Sequence, residues 1–311
     1  MSPIYLNSLP QSLSNFEAKI ETPTNVIRSL FSITRWAFRR TPLINSFFYN
    51  SIYRFLMRIL FSIIGNVFSF RGARIVTNVE DLSVTPTVWT GQYESNEFDW
   101  MEKRYLCQSE RLILLIDVGS NIGIYSSVFM RISALFEVIC IEPDERSIPF
   151  LLENLTFNCH HLTQFQIIKK AVGDKSLKQI FLPKLDPGQS KLIVSDEEND
   201  LNIVSLDEVL SKINLERFDE ILLKIDVEGN EPQTLLSGLS ILSVKRLSIL
   251  VEYNPTNFES LSAYTDLWSL LSTKYRNATV FTFGRIYTCE VLELTLRLTH
   301  DLANILFEAE N

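Results

Sequence analysis

The sequence is poor in the residues that build disulfide or metal scaffolds. It has only four cysteines in 311 residues, Cys107, Cys140, Cys159 and Cys289, and no two of them form a C-x-x-C pair. Cys140 also falls inside a strand-like run, so the pattern excludes a disulfide framework or a zinc ribbon and predicts a reduced, intracellular protein. Histidine is scarcer still: His160, His161 and His300 are the only three. The start, MSPIYLNSLPQSLSNFEAK, lacks the basic and apolar regions of a secretory leader. No run of about 18 uncharged apolar residues is present, so no segment is expected to span a bilayer. Charge of one sign is missing locally. Between Thr22 and Val79 there are eight arginines but no lysine, aspartate or glutamate; because the whole chain is −8, the remainder carries −16. That acidic balance argues against general nucleic-acid binding.

The hydrophobic fraction is 46% and the charged fraction 21%, which predicts a full core and a folded chain. The length suits one large α/β domain with an appendage. Residues 1–25, with prolines 3, 10 and 23, read as an irregular lead-in. Residues 26–85 read as a basic, apolar helical extension. From Phe47 to Ile64 apolar pairs recur four apart, with Asn50, Arg54 and Arg58 opposite. Arginines of one sign on such a helix predict contact with a membrane surface through residues 26–75, at the inner face of the membrane of a cytoplasmic protein. A helical lid or dimer arm is the competing expectation.

The remainder, 86–311, is organised around LILLIDVGSNIG at 112–123. Five apolar residues are too few for a stable helix and fit a parallel strand buried on both faces. Gly119, Asn121 and Gly123 follow at alternate positions, and IYSSVFMRISALF then has helical spacing. Ligands in open α/β sheets bind beyond the carboxyl ends of strands, where this turn lies. A second strand, 137–142, ends at Glu142, whose carboxylate suits the two hydroxyls of a ribose. An adenosine-type cofactor follows, its kind left open. Further strands are expected at 165–169, 179–182, 191–194, in the run EILLKIDVEGNE at 220–231, which ends in a cluster of acids, and at 247–253, 279–283 and 302–307, alternating with helices at 94–106, 147–159, 204–213, 235–242 and 261–271. Such alternation means a mostly parallel sheet covered on both faces. The N-x-T triplets at Asn154 and Asn277 are read as chance, the first because it lies in a helix.

DVGSNIG at 117–123, IEP at 141–143, SLDEVL at 205–210 and above all KIDVEGNE at 224–231 resemble the FkbM family of S-adenosylmethionine-dependent methyltransferases. The likeness runs from about Glu94 to Glu308 and leaves the first 90 residues outside. It implies a class I, Rossmann-like sheet of seven strands with the last strand antiparallel and inserted beside its neighbour. It also implies methyl transfer to a hydroxyl of a sugar, glycan or secondary metabolite. By the same resemblance, Asp117, Gly119, Ser120, Asn121, Gly123, Glu142, Pro143 and Ala171 would surround S-adenosylmethionine. The backbone N–H groups of the turn would face the cofactor's carboxylate, Glu142 would take the ribose, and 170–172 would border the adenine. Ser120 stands where the family commonly has alanine. Asp226, Glu228 and Glu231 are candidates for the base that takes the acceptor's proton. They have two competing roles: ligation of Mg²⁺, which is not expected, or a structural role in capping the next helix or pairing with Lys224. His300 is a further candidate base, and Glu252 a further acid for the acceptor cleft. An NAD-dependent oxidoreductase is the rival, but its fingerprint wants a second glycine where Asn121 stands. A membrane-docked scaffold without turnover is the non-enzymatic alternative.

Overall fold

The computed structural model describes residues 65–309 apart from 79–80, 82–83, 92, 107–110, 133–135, 160–163, 175–178, 183–189, 195–202, 255–257, 283–284 and 299–301, together with Phe55 and Ile59. The lead-in at 1–25 and most of the helix expected at 47–64 therefore lie outside the described residues, as does His300. Phe55 and Ile59 are helical, four apart, and exposed at 62% and 44%. Among the described residues no helix is long and apolar enough to cross a membrane.

The first ordered strands are β1 (Val67–Phe70) and β2 (Ala73–Val76), an antiparallel hairpin. Arg71 and Gly72 both have positive φ, 48° and 78°, which is the two-residue turn whose twist matches a hairpin. Helices α1 (Thr85–Thr90) and α2 (Ser95–Tyr105) follow. The central alternation is β3 (Ile113–Val118), α3 (Ile124–Ile132), β4 (Phe136–Ile141), α4 (Ile148–Asn158) and β5 (Gln164–Ile168). Two further strand pairs lie outside the main sheet, as the β1–β2 hairpin does: β6 (Ala171–Val172), which pairs with β9 (Ile203–Val204), and the hairpin of β7 (Gln179–Leu182) with β8 (Lys191–Val194). Then come α5 (Leu206–Leu210), β10 (Glu220–Ile225), α6 (Glu231–Leu236), β11 (Leu247–Tyr253), α7 (Phe258–Leu271), β12 (Asn277–Thr282), β13 (Arg285–Glu290), α8 (Leu294–Arg297) and β14 (Ala303–Phe307).

The main sheet has the order β13-β12-β14-β11-β10-β3-β4-β5. β5, β4, β3, β10 and β11 run parallel. The last strand, β14, is inserted antiparallel between β11 and β12. From β3 the chain builds outward to β5, then returns to add β10 and β11 on the other side. The strand order therefore reverses at β3 and β10, and a crevice opens at their carboxyl ends. The sheet has eight strands where seven were expected: β13 pairs antiparallel with β12 at the edge. Its sequence, RIYTCE, buries only Cys289, so it has little apolar periodicity to announce it.

β3 is buried on both faces because its residues feed two cores. Leu114, Ile116 and Val118 join one cluster, while Ile113 and Leu115 join the other. Each such side chain contributes about 1.5–3 kcal/mol relative to exposure. The β1–β2 hairpin belongs to the second cluster through Phe70, Ala73 and Ile75. Its backbone is held by two asparagines one turn apart on α4. Asn154 Oδ1 accepts from Val76 N at 2.6 Å while its Nδ2 donates to Val76 O at 3.0 Å and to Ile122 O at 2.8 Å. Asn158 exchanges the same pair of bonds with Arg74, at 2.9 and 2.7 Å. These amides replace a neighbouring strand. The boundary expected at 85/86 thus falls inside one packed body, and residues 67–76 are a hairpin rather than helix. Arg71, at 2.6 Å from Asp99 and 3.1 Å from Glu102, and Arg74, stacked 3.6 Å from the Phe157 ring centre, dock this hairpin. Two of the eight arginines therefore face protein.

Asn154 is fully buried, which leaves its N-x-T triplet no access to modification. We expect Asn154→Ala to lower the unfolding free energy by about 2–4 kcal/mol, because it strands buried backbone groups at both β2 and the glycine turn. Urea unfolding measures this, and a loss below about 1 kcal/mol would mean that the hairpin contributes little.

Candidate active site

A cavity of about 260 Å³ opens at the reversal point, over the carboxyl ends of β3, β4, β10 and β11. Asp117, Gly119, Ser120, Asn121, Glu142, Pro143 and Ala171 all line it, and so do Asp226, Glu228 and Glu252. Gly123 and Glu231 do not. Gly123, at φ +77°, packs where an added Cβ would stand 2.5 Å from Leu151 Cδ1. It sets the distance between α3 and α4.

The turn after β3 differs from expectation in one respect. Its N–H groups are used internally: Gly119 N and Ser120 N donate to Ile141 O at 2.9 and 3.2 Å, and Asn121 N donates to Glu142 Oε2 at 2.8 Å. They lock the turn to β4 and leave side chains to face the cavity. Gly119 is required for a second reason. A Cβ there would lie 1.8 Å from Asp226 O, so the turns after β3 and β10 touch through the missing side chain. Asn121, at φ 46°, ties the turn to its surroundings. Its Nδ2 donates to Asp81 Oδ2 at 3.1 Å, and its Oδ1 accepts from Ser147 Oγ at 2.9 Å.

Glu142 is buried, and each of its oxygens accepts one backbone N–H, from Asp144 at 2.7 Å and Asn121 at 2.8 Å. Each oxygen retains a lone pair for a further donor. Burial pushes its carboxyl up to about 7 against the lowering effect of those two bonds. Asp117 is 1% exposed. Its Oδ2 accepts from Ser126 Oγ at 2.7 Å, while its buried Oδ1 has no hydrogen-bond partner among the described residues. Burial raises its pKa as well, and Lys224 only partly opposes that.

Lys224 projects from β10 beside Asp117, its neighbour in the sheet register. Its Nζ lies 2.9 Å from Asp226 Oδ2 and 4.0 Å from Asp117 Oδ1, and 4.7 Å from the centre of the Tyr125 ring. Burial lowers its pKa, but Asp226, Asp117 and Glu94 more than offset this and hold it raised. Tyr125 lines the cavity and donates its hydroxyl to Glu94 Oε2. Glu94 also lines the cavity, and its carboxyl is pushed up to about 8, chiefly by burial. Neither was singled out from sequence, and no local signal marks them; α2 and α3 bring them together.

Among the candidate bases, Glu231 has a structural job. Its Oε1 accepts from Val227 N and Gly229 N at 3.1 and 2.9 Å, and its Oε2 accepts from the Tyr264 hydroxyl at 2.7 Å. It shapes the loop after β10 from behind the cavity. Asp226 faces the cavity but is paired with Lys224. Glu228, at φ 57°, is not on an extended segment with Asp226, yet both reach the same space. Glu252, from β11, also borders it, with Oε2 buried and unpartnered among the described residues. Gly119→Ala should weaken S-adenosylhomocysteine binding at least tenfold in calorimetry and lower the melting temperature, because the β3 and β10 turns must separate. Unchanged binding would show that this contact does not shape the site.

A family model for the methyltransferase FkbM domain matches residues 117–279, just over half the chain. Comparison with curated proteins finds no match. Solved structures resemble the chain at low identity. The METTL16 methyltransferase domain is 13% identical, with 96% of this chain and 97% of that one covered and a TM-score of 0.44. The human methyltransferase 10 domain containing protein is 13% identical over 85% and 100%, with a TM-score of 0.40. A precorrin-6y C5,15-methyltransferase from Geobacter metallireducens is 9% identical over 68% and 87%, with a TM-score of 0.37. The glycine turn, the acid ending β4 and the loop after β10 all fall within the matched residues, and the chain belongs to the FkbM family of S-adenosylmethionine-dependent methyltransferases.

Proposed function

We propose that this protein methylates a hydroxyl group on a sugar, glycan or secondary metabolite. The observation that carries the reading is that the acids ending β10 and β11, Asp226, Glu228 and Glu252, share one cavity with the cofactor residues of β3 and β4. The cofactor fits what lines that cavity. Asp117 presents a buried oxygen without a partner, and Glu142 presents two oxygens with unused lone pairs. When bound, S-adenosylmethionine supplies an electrophilic methyl on a cationic sulfur.

Along the sheet edge the residues divide the work. Lys170 and Ala171, just past β5, border the adenine end. Glu142 takes the ribose hydroxyls, and Asp117 takes the amino-acid end. Glu228 and Glu252, farthest from Glu142 in strand order, hold the acceptor hydroxyl; Glu228 accepts its proton, while burial holds the Glu252 carboxyl well up, in its protonated form. A neutral hydroxyl is a weak nucleophile, and a positioned carboxylate raises its reactivity by about 10²–10⁴-fold. Asp226 keeps Lys224 in place beside them.

Two outcomes test the reading. Glu142 accepts ribose hydroxyls as a carboxylate, so ligand binding favours its ionised form. S-adenosylhomocysteine affinity should therefore rise with pH through about 7 and level off above it, with a slope of up to about tenfold per pH unit below. Glu142→Gln should bind weakly and show a flat profile; a wild-type profile that is already flat would remove Glu142 from the ribose site. The acceptor can be sought with tritiated methyl donor against lipid-linked glycans, lipids and small polyols. Glu228→Gln should keep cofactor affinity but lose about 100-fold in turnover with the acceptor so found. Equal turnover would take Glu228 off the catalytic list.

A further inference from the structure

Glu94 lies before the residues matched by the family model, yet it forms part of the cavity wall. It immediately precedes α2 in a left-handed conformation, φ 36° and ψ 50°, that a residue with a Cβ seldom adopts. Such a conformation is strained and persists only where the surroundings impose it. One carboxylate oxygen accepts from the Tyr125 hydroxyl. No other hydrogen bond to its side chain is found among the described residues.

Lys224 and Asp226 at the end of β10 and Glu97 on α2 are the charged groups that act on Glu94. Its hydrogen bond from Tyr125, whose ring centre lies 4.7 Å from Lys224 Nζ, places it on the β10 side of the crevice. That is the side away from Glu142 in the strand order β10-β3-β4. Around this point one ammonium, Lys224, faces three carboxylates, those of Asp117, Asp226 and Glu94. Carboxyl groups outnumber the one ammonium at this point of the cavity, so a second cation entering it would find in Glu94 a group able to take up negative charge.

From this we infer that Glu94 reads the charge on the cofactor's sulfur, favouring the sulfonium of S-adenosylmethionine over the neutral thioether of S-adenosylhomocysteine. The inference rests on the reading of the cavity as a cofactor site. It assigns to that site a discrimination between substrate and product that the ribose and adenine contacts, common to both ligands, cannot provide. A cation beside a protonated carboxyl favours loss of its proton. Burial holds the Glu94 carboxyl up at about 8, so much of it is protonated at pH 7. S-adenosylmethionine binding should then expel a proton to the buffer that S-adenosylhomocysteine binding leaves in place. Proton release from Glu142 is the same for both ligands and cancels in the comparison.

The experiment is calorimetry of both ligands with the full chain at pH 7, in buffers of different ionisation enthalpy. Wild type should release up to about one proton more with S-adenosylmethionine than with S-adenosylhomocysteine. Glu94→Gln should abolish that difference and reduce the affinity ratio of the two ligands by about five- to tenfold, the scale of one screened charge at close range. Glu94→Asp, which keeps the charge, should retain most of both effects. Equal proton release for the two ligands in the wild type overturns the inference, whether or not the variants fold. So does an unchanged affinity ratio in Glu94→Gln, and in that case the cofactor reading survives. Binding of neither ligand by the wild type overturns both.

Discussion

A single buried ammonium makes this site possible. Taking a lysine out of water costs several kcal/mol unless opposite charges and good geometry offset it. Lys224 is 4% exposed and meets Asp226 at 2.9 Å, with Asp117 and the Tyr125 ring close by. Each carboxylate in turn is tolerated at the crevice because Lys224 is there. Without it, Asp117, Asp226 and Glu94 would face one another across a space walled by protein. Burial is the largest cause of the raised pKa values of Asp117 and Glu94, and Lys224 only partly opposes it.

The position of Lys224 depends on the sheet, and the sheet's crevice depends on elements far away in sequence. The register that sets Lys224 beside Asp117 is the parallel pairing of β10 with β3. The turns beyond these two strands touch because Gly119 has no side chain. Asn121 carries this arrangement outward to Asp81, whose other oxygen accepts from Val84 N at 2.8 Å ahead of α1. Asn154 joins β2 to the same turn through Ile122 O. The β1–β2 hairpin is therefore a brace for the glycine turn after β3 and not merely a lead into it.

What could be read from the chain divides along physical lines. The runs at 112–116 and 221–223 are apolar without alternation, the pattern of strands covered on both faces, and both lie in central strands. Ser205 as a helix start is equally local: its hydroxyl accepts from Glu208 N at 3.2 Å. The helix expected at 235–242 begins earlier, at Glu231, because Pro232 suits a first turn, and it stops before Gly238, which packs against Leu206. The β1–β2 hairpin had a signal, alternation around Arg71-Gly72, that its basic and apolar composition masks. Glu94 and Tyr125 had none. Their meeting is set by the packing of α2 against α3, with the Phe98 and Tyr125 rings stacked at 4.5 Å, and no spacing in the sequence encodes a contact across 31 residues. The turn's N–H groups were misread for a related reason. Their partner, Ile141 O, belongs to the next strand, so their satisfaction is a tertiary fact.

An anionic enclosure raises a question about rate. Methyl transfer dissipates the positive charge on sulfur, so carboxylates that favour the sulfonium stabilise the ground state more than the transition state. Stronger ground-state binding alone does not accelerate the chemical step. The compensation must come from holding the acceptor oxygen in line, which can supply about 7–11 kcal/mol when two reactants are fixed at contact distance. It must also come from a carboxylate placed to take the hydroxyl's proton, so that positive charge leaves the acceptor as it leaves the sulfur. In the proposed layout Glu228, past the end of β10, and Glu252, on β11, border the same cavity as Asp117 and Glu94, so both demands fall on one enclosure. A site matched to the sulfonium would also help the cycle close, because the neutral product no longer matches it.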